Sequence, residues 1–304
     1  MPKQETIQEN GLDMCRIDTL RVYGVDETSG ECVDVTEDYY LVNRAEEAKR
    51  KRQRQQNLKS LAQITARSGV PFVWVICRAV DGLWQSLSSK YIAMLCFLAT
   101  YQNYKCELAT GKKPIYKKGL PQLLGVSRAT AYRFWQAIEK AGAGREEADG
   151  RLCLNKQYFH RGMLSGQEIA RLAEAEWRIV RLYIEPLREM YRGADKNALG
   201  HFLQMIPFIH REYNIVCYNP MEPDLELVRS MSMEEICRAI GCGEKNSARL
   251  WEGVSELKFR VLEKAECAAI QRVYNRDCGY KLFINPDACY SGMNWEQAHE
   301  MGGF

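Results

Sequence analysis

The sequence predicts an α+β chain, mostly helical, in which two helices, a tight turn and a β-hairpin occur twice. Three observations lead there. Leu124-Gly125-Val126-Ser127 precedes a helical run through Trp135, and Ile240-Gly241-Cys242-Gly243 precedes one through Trp251, 116 residues later. Leu152-Cys153-Leu154-Asn155 and Leu282-Phe283-Ile284-Asn285 follow, 130 residues apart, with Gly162 and Gly292 at the same offset. The 14-residue difference fits a longer hairpin in the second copy. Helix-start signals of the capping-box type stand at Ser165–Glu168 and Ser232–Glu235. A segment that recurs at a fixed offset marks a duplicated structural unit.

Length and composition bound the rest. At 304 residues and 35.0 kDa the chain suggests two domains. With 46% hydrophobic residues it has enough apolar surface to offset the entropy of ordering. The longest uncharged stretch near a hydrophobic peak, residues 91–104, is shorter than a membrane span requires, so no membrane partner is expected. The opening residues MPKQETIQEN contain no apolar core, and no pair of the twelve cysteines stands as C-x-x-C. Reduced thiols in a cytoplasm are the expectation. His160, His201, His210 and His299 are scattered, and no Walker loop, G-x-S-x-G or H-E-x-x-H occurs. The sequence thus argues for no metal, no cofactor and no enzymatic activity.

The elements follow in order. Residues 1–12 read as polar and loose. Segments 16–22 and 32–35 read as a hairpin around Asp26–Gly30. Residues 43–67, free of Pro and Gly, read as a basic helix. Phe72 to Ile76 is a strand or the start of a buried helix. A helix capped by Ser88 or Ser89 runs to about residue 104, with Ile92, Leu95, Cys96 and Ala99 inward. Next come a short helix near 119–124, a helix over 127–140 stopped by Gly142, and a hairpin turning on the dipeptide Asp149-Gly150. From Ser165 one long helix is expected to reach residue 191. Its stripe is Ile169, Leu172, Val180, Tyr183, Ile184, Leu187 and Met190, with a kink at Pro186. The second copy repeats the scheme, with strands at 270–274 and 280–284; upstream, Phe97-Leu98 could match Phe202-Leu203.

Two copies of helix, turn, helix and hairpin are two winged helix-turn-helix units joined by a long helix. The divisions are 1–67 for the N-terminal hairpin and basic helix, 68–163 for the first winged helix, 164–195 for the connecting helix, 196–294 for the second winged helix and 295–304 for a tail.

Charge is unevenly spread. Residues 44–59 carry a balance of +5 and residues 112–161 of +7, whereas residues 222–287 carry −2. The first half is therefore the candidate polyanion binder. Gly125 permits the bend, Ser127 caps the helix, and Ala131 and Phe134 face the core. Arg128, Ala129, Tyr132, Arg133 and Gln136 are left outward. Arg128 and Arg133 suit base edges, because guanidinium can pair twice with guanine in the major groove. Ala129 and Tyr132 would line that groove beside Ser127 and Thr130. Lys112, Lys113, Lys117, Lys118, Arg145 and Arg151 would lie near phosphates. In the second copy Glu244 and Glu252 replace Arg128 and Gln136, leaving Lys245 and Arg249 for a weaker contact. The basic stretch 44–59 is either a solvated helix or an arm following the DNA backbone.

The hairpin Asp26-Glu27-Thr28-Ser29-Gly30-Glu31, the turn Gly125-Val126-Ser127-Arg128-Ala129-Thr130, and Leu152-Cys153-Leu154-Asn155 leading to Arg161-Gly162 resemble Gram-positive plasmid and phage replication initiators of the RepL kind. The resemblance covers about residues 17–165. Short members of that family lack the second half, and two winged helices in one chain look instead like iteron-binding initiators. The resemblance implies sequence-specific double-stranded DNA binding in plasmid or phage replication, with a host or phage helicase as a further partner. Two alternatives remain. One is a transcriptional repressor of a mobile element; the other is a phage protein binding a host protein through its winged helices. If the 169–190 stripe is core, a monomer would span an asymmetric or directly repeated site. If it is an interface, a homodimer would bind a palindrome.

Overall fold

The computed structural model describes residues 70–162, 164–174, 178–260, 266–275, 279–292 and 294–304, together with four strands in the first 69 residues. Two compact units are present, residues 1–56 and 57–304.

In the first unit, β1 (Ile7–Glu9), β2 (Leu12–Cys15), β3 (Tyr23–Asp26) and β4 (Cys32–Asp34) form an antiparallel meander in sequence order. Residues 1–12, read as loose, therefore contain β1 and the start of β2. The expected hairpin exists, but Cys32–Asp34 pairs with Tyr23–Asp26 rather than with residues 16–22. The basic stretch 44–59 and the helix expected over 43–67 lie outside the described residues.

The second unit opens with β5 (Phe72–Ile76), an aromatic and β-branched run, which passes directly into α1 (Cys77–Gln85) and α2 (Ser89–Ala99). Ser88 caps α2 by accepting the Tyr91 N–H. A two-residue ribbon, β6 (Ala109–Thr110) and β7 (Lys113–Pro114), turns at Gly111. A 3₁₀ turn at Lys117–Gly119 leads into α3 (Leu120–Leu124), then α4 (Arg128–Lys140). The hairpin β8 (Gly144–Glu146) and β9 (Leu152–Leu154) follows, then the short strand β10 (Phe159–His160). The hairpin loop is wider than the two residues expected. Glu147 N–H donates to Arg151 C=O, Gly150 N–H donates to Glu147 C=O, and Gly150 sits at φ +83°. This is a three-residue loop whose glycine occupies the left-handed position.

The long helix expected from 165 to 191 is not formed. In its place stand α5 (Gly166–Glu174), β11 (Ile179–Tyr183) and α6 (Ile184–Gly193). Ile179-Val-Arg-Leu-Tyr183 is a buried run with β-branched residues, and it pairs along its whole length with β5. Apolar residues needed on both faces of a buried strand also fit a helical stripe, so periodicity alone cannot separate the two. Pro186 does not kink a helix. It lies in the first turn of α6, where its missing N–H costs nothing. The stripe residues Val180, Tyr183, Ile184, Leu187 and Met190 are buried within the chain.

The remainder comprises α7 (Lys196–Gln204), α8 (Met233–Ala239) and α9 (Ser247–Ser255). A ribbon of β12 (Lys258–Arg260) and β13 (Glu266–Ala268) precedes the hairpin β14 (Ile270–Asn275) and β15 (Gly279–Ile284). The short strand β16 (Cys289–Tyr290) and α10 (Trp295–Gly302) close the chain. Among the described residues no helix is long and apolar enough to cross a membrane.

The central sheet has the order β10-β5-β11-β16 and is antiparallel throughout. This order reveals how far the duplication extends. Phe72 corresponds to Ile179 and the cap Ser88 to the cap Asp195, both 107 residues apart. That separation places Leu95-Cys96, rather than Phe97-Leu98, opposite Phe202-Leu203. The pair Trp74↔Arg181 maps onto itself, so a pseudo-two-fold axis passes through the middle of the sheet. Trp74 Nε1 donates to Gly162 C=O in its own copy, and the buried Arg181 donates to Gly292 C=O in the other. Asn155 and Asn285 close the two hairpins alike. Each accepts the backbone N–H two residues on and donates through Nδ2 to a backbone carbonyl, Gly142 in one copy and Ala268 in the other.

One hydrophobic core runs through both copies, taking in Leu124, Phe134 and Trp135 from the first and Ile236, Leu250 and Val254 from the second. Its tightest passage is the crossing of α2 and α7. A Cβ at Gly200 would stand 1.9 Å from the Ser89 carbonyl oxygen. Gly200→Ala is therefore expected to destabilise the fold by about 1–3 kcal/mol, measured as a lower urea midpoint. An unchanged midpoint would mean that the two helices can part freely.

His210 is 1% exposed. Its Nδ1 accepts the N–H groups of Glu212 and Tyr213, so Nε2 carries the proton and donates to Glu222 C=O at 2.7 Å. Burial pushes its pKa down, as it does that of His201. With the folded-state pKa below the unfolded value of about 6.5, the unfolded chain takes up the proton first. The stabilisation is complete above that pH and is lost as pH falls through about 6.5 towards the folded value. Urea midpoints should drop between pH 7.5 and 5.0, and His210→Gln should flatten the drop while lowering the midpoint at pH 7.5. An equal drop in both proteins would exclude His210 as a source.

Candidate nucleic-acid interface

The first turn is built by backbone conformation. Gly125 ends α3 at φ +61°, in the left-handed region that favours glycine. Ser127 is extended (φ −62°, ψ 154°), and its Oγ accepts the Thr130 N–H at 3.2 Å. The Thr130 hydroxyl lies 2.9 Å from the same oxygen, so these two site residues hold the helix start together. Helix α4 then buries Ala131, Phe134, Trp135 and Ile138. That leaves Arg128, Ala129, Tyr132, Arg133 and Gln136 exposed on one face. Arg133 Nε reaches back to Ala129 C=O at 3.4 Å, and Gln136 donates to the Tyr132 hydroxyl at 3.0 Å. Neither Arg128 nor Arg133 is in an ion pair among the described residues.

The surrounding cations divide into two sets. Lys112, Lys113 and Lys118 are exposed and make no ion pair among the described residues. Lys117, Arg145 and Arg151 already hold carboxylates. Lys117 sits between Glu146 (2.8 Å) and Glu139 (3.3 Å), and the bond to Glu146 keeps its ammonium above the ordinary pKa. Arg145 pairs with Glu147 at 2.8 Å and holds that carboxyl below its usual range. Arg151 binds Asp149 and Glu107, and its backbone N–H helps to keep the Asp149 carboxyl low. Solvent screens exposed pairs of this kind, so a phosphate could exchange with the carboxylate at small cost.

The second copy has diverged. Gly241 repeats the left-handed turn at φ +75°, but Gly243, at φ +79°, stands where Ser127 stands in the first copy. Without a hydroxyl cap the helix begins as a 3₁₀ turn at Glu244–Asn246, and α9 has 9 residues against 13 in α4. Arg238 is tied to Glu244 at 2.6 Å. Lys245 and Arg249 are exposed and make no ion pair among the described residues.

The longer hairpin presents groups that the sequence reading passed over. Tyr274 and Tyr280 are 62% and 57% exposed, with ring centroids 5.1 Å apart. The Arg272 guanidinium lies over both Trp251 (4.8 Å) and Tyr280 (5.0 Å). The signal was the placement of two tyrosines at the facing ends of the predicted strands, where they form a cross-strand pair. No family model, curated protein or solved structure matches this chain.

Proposed function

We propose that the chain is a non-enzymatic, sequence-specific double-stranded DNA-binding protein with two winged helix-turn-helix units, serving as a plasmid or phage replication initiator. One observation carries the DNA reading: Arg128, Ala129, Tyr132, Arg133 and Gln136 lie together on the exposed face of a helix that a capped, glycine-bent turn holds against the core. A guanidinium on such a face, in no ion pair among the described residues, suits the major-groove edge of guanine. Lys112, Lys113 and Lys118 supply nearby charge for phosphates. The initiator reading rests on the resemblance to RepL-type and iteron-binding proteins.

Arg133→Ala should weaken binding to a selected site by about 1–3 kcal/mol and relax preference at one base position. Lys113→Ala should weaken all sequences alike and reduce the salt slope by about one. Equal binding of wild type and Arg133→Ala would overturn the assignment of α4. A plasmid carrying the gene and its flanking DNA should replicate without another initiator; a repressor would bind its site and fail this test.

Burial of the 180–190 stripe inside the chain supports a monomer that reads two half-sites. The pseudo-two-fold axis relates the two copies in opposite senses, so the half-sites should run in opposite directions and differ in sequence. This replaces the direct repeat among the options read from the sequence. Light scattering should give about 35 kDa, the mass of one chain, with an asymmetric footprint. A stable dimer on a perfect palindrome would reverse that choice.

A further inference from the structure

A cleft of about 760 Å³ opens where the first copy's turn meets the end of α6 and the start of α7. Its floor is the stacked pair Phe97 and Tyr191, with centroids 3.9 Å apart and planes 9° apart. Lys118, Arg192 and Lys196 line it, Tyr116 stands at its rim with 39% of its surface exposed, and no carboxylate is among its lining residues. The Lys196 ammonium rests 4.8 Å from the Tyr191 ring centroid. Lys118 and Arg192 make no ion pair among the described residues.

The duplication shows that the fold does not require this charge. Across the pseudo-two-fold axis, Tyr191, Arg192 and Lys196 correspond to Trp84, Gln85 and Ser89, and Lys118 corresponds to Glu234. The matching positions of the other copy therefore hold no cation and one carboxylate. Three cations lining one cleft call for phosphate oxygens. The exposed Tyr116 ring calls for a planar ring. The volume is within the range of small-ligand sites.

We infer that this cleft is a binding site for a nucleoside phosphate, with Lys118, Arg192 and Lys196 on the phosphates and Tyr116 against the base. The same chemistry is offered by a free nucleotide and by a nucleotide within a DNA strand. The cleft is also tied to the turn beside it: the Tyr191 hydroxyl donates to Leu124 C=O at 2.9 Å, one residue before Gly125.

The test is a titration of the full chain with a fluorescent adenine or guanine nucleotide in the absence of DNA. It is thus read independently of the DNA assignment. Saturable binding is expected. The combined variant Lys118→Ala, Arg192→Ala and Lys196→Ala should weaken it by about tenfold or more, whereas Lys156→Ala, which removes an exposed cation elsewhere, should not. Thermal melts would show that each variant is folded, and Tyr116→Leu gives a second variant that leaves the charge intact and should also weaken binding. Unlabelled nucleotide should compete better than inorganic pyrophosphate. Stronger competition by the free nucleotide than by a short single-stranded oligonucleotide identifies a small-molecule ligand, and the reverse identifies a strand of DNA. Absence of saturable binding, binding unchanged in the combined variant, or equal competition by pyrophosphate would overturn the inference.

Discussion

Antiparallel pairing between Phe72–Ile76 and Ile179–Tyr183 is the constraint on which the larger unit depends. Both strands are buried, so each must satisfy its backbone through the other and through the short outer strands that flank them. Because the strands are copies of one another, pairing them folds the chain into an internal dimer. Alternate side chains then divide the sheet into two faces. Val73, Val75, Val180 and Leu182 join the shared core, whereas Trp74, Ile76 and Ile179 pack with Leu164 and Leu172 on the other side. At the centre, Trp74 and Arg181 hold the two hairpin exits through Gly162 and Gly292. Arg181 is buried at 6% exposure, with its guanidinium on carbonyl oxygens and over the Tyr290 ring. These contacts offset part of the cost of removing the charge from water.

On this symmetric frame the copies differ. The first keeps a hydroxyl cap and a 13-residue helix with an exposed face carrying two arginines. The second has glycine at the cap position, a shortened helix and acidic substitutions. Its hairpin is also longer and carries exposed tyrosines beside a stacked arginine. Both turns pack on one core, and Tyr191 ties the end of α6 to the first turn through Leu124.

Local elements were legible where local chemistry decides them. The turn at Gly125, the cap at Ser127, the outward face of α4, the second capping box and both hairpins needed only a glycine, a hydroxyl or a β-prone pair. The Asn155 and Asn285 matches marked two hairpin closures with equivalent hydrogen bonds. Misreading came where a segment's partner is far away. Ile179–Tyr183 has spacing that also suits a helix, and only β5, more than 100 residues earlier, makes it a strand. Strand β1 likewise depends on pairing with β2, which the polar opening residues do not announce.

The sequence by itself determined the α+β class, the duplication, the positions of the two turns and the side chains that α4 turns outward. Those features follow from glycine conformation, capping and apolar periodicity, which act within a few residues. Only the tertiary structure decided that the linker contains a strand between two helices, that the copies face each other across a pseudo-two-fold axis, and that Lys117, Arg145 and Arg151 hold carboxylates while Lys118, Arg192 and Lys196 gather around one cleft. These are consequences of which distant segments come together. Strand pairing and electrostatic contacts depend on distance in space, and a linear pattern does not carry that distance.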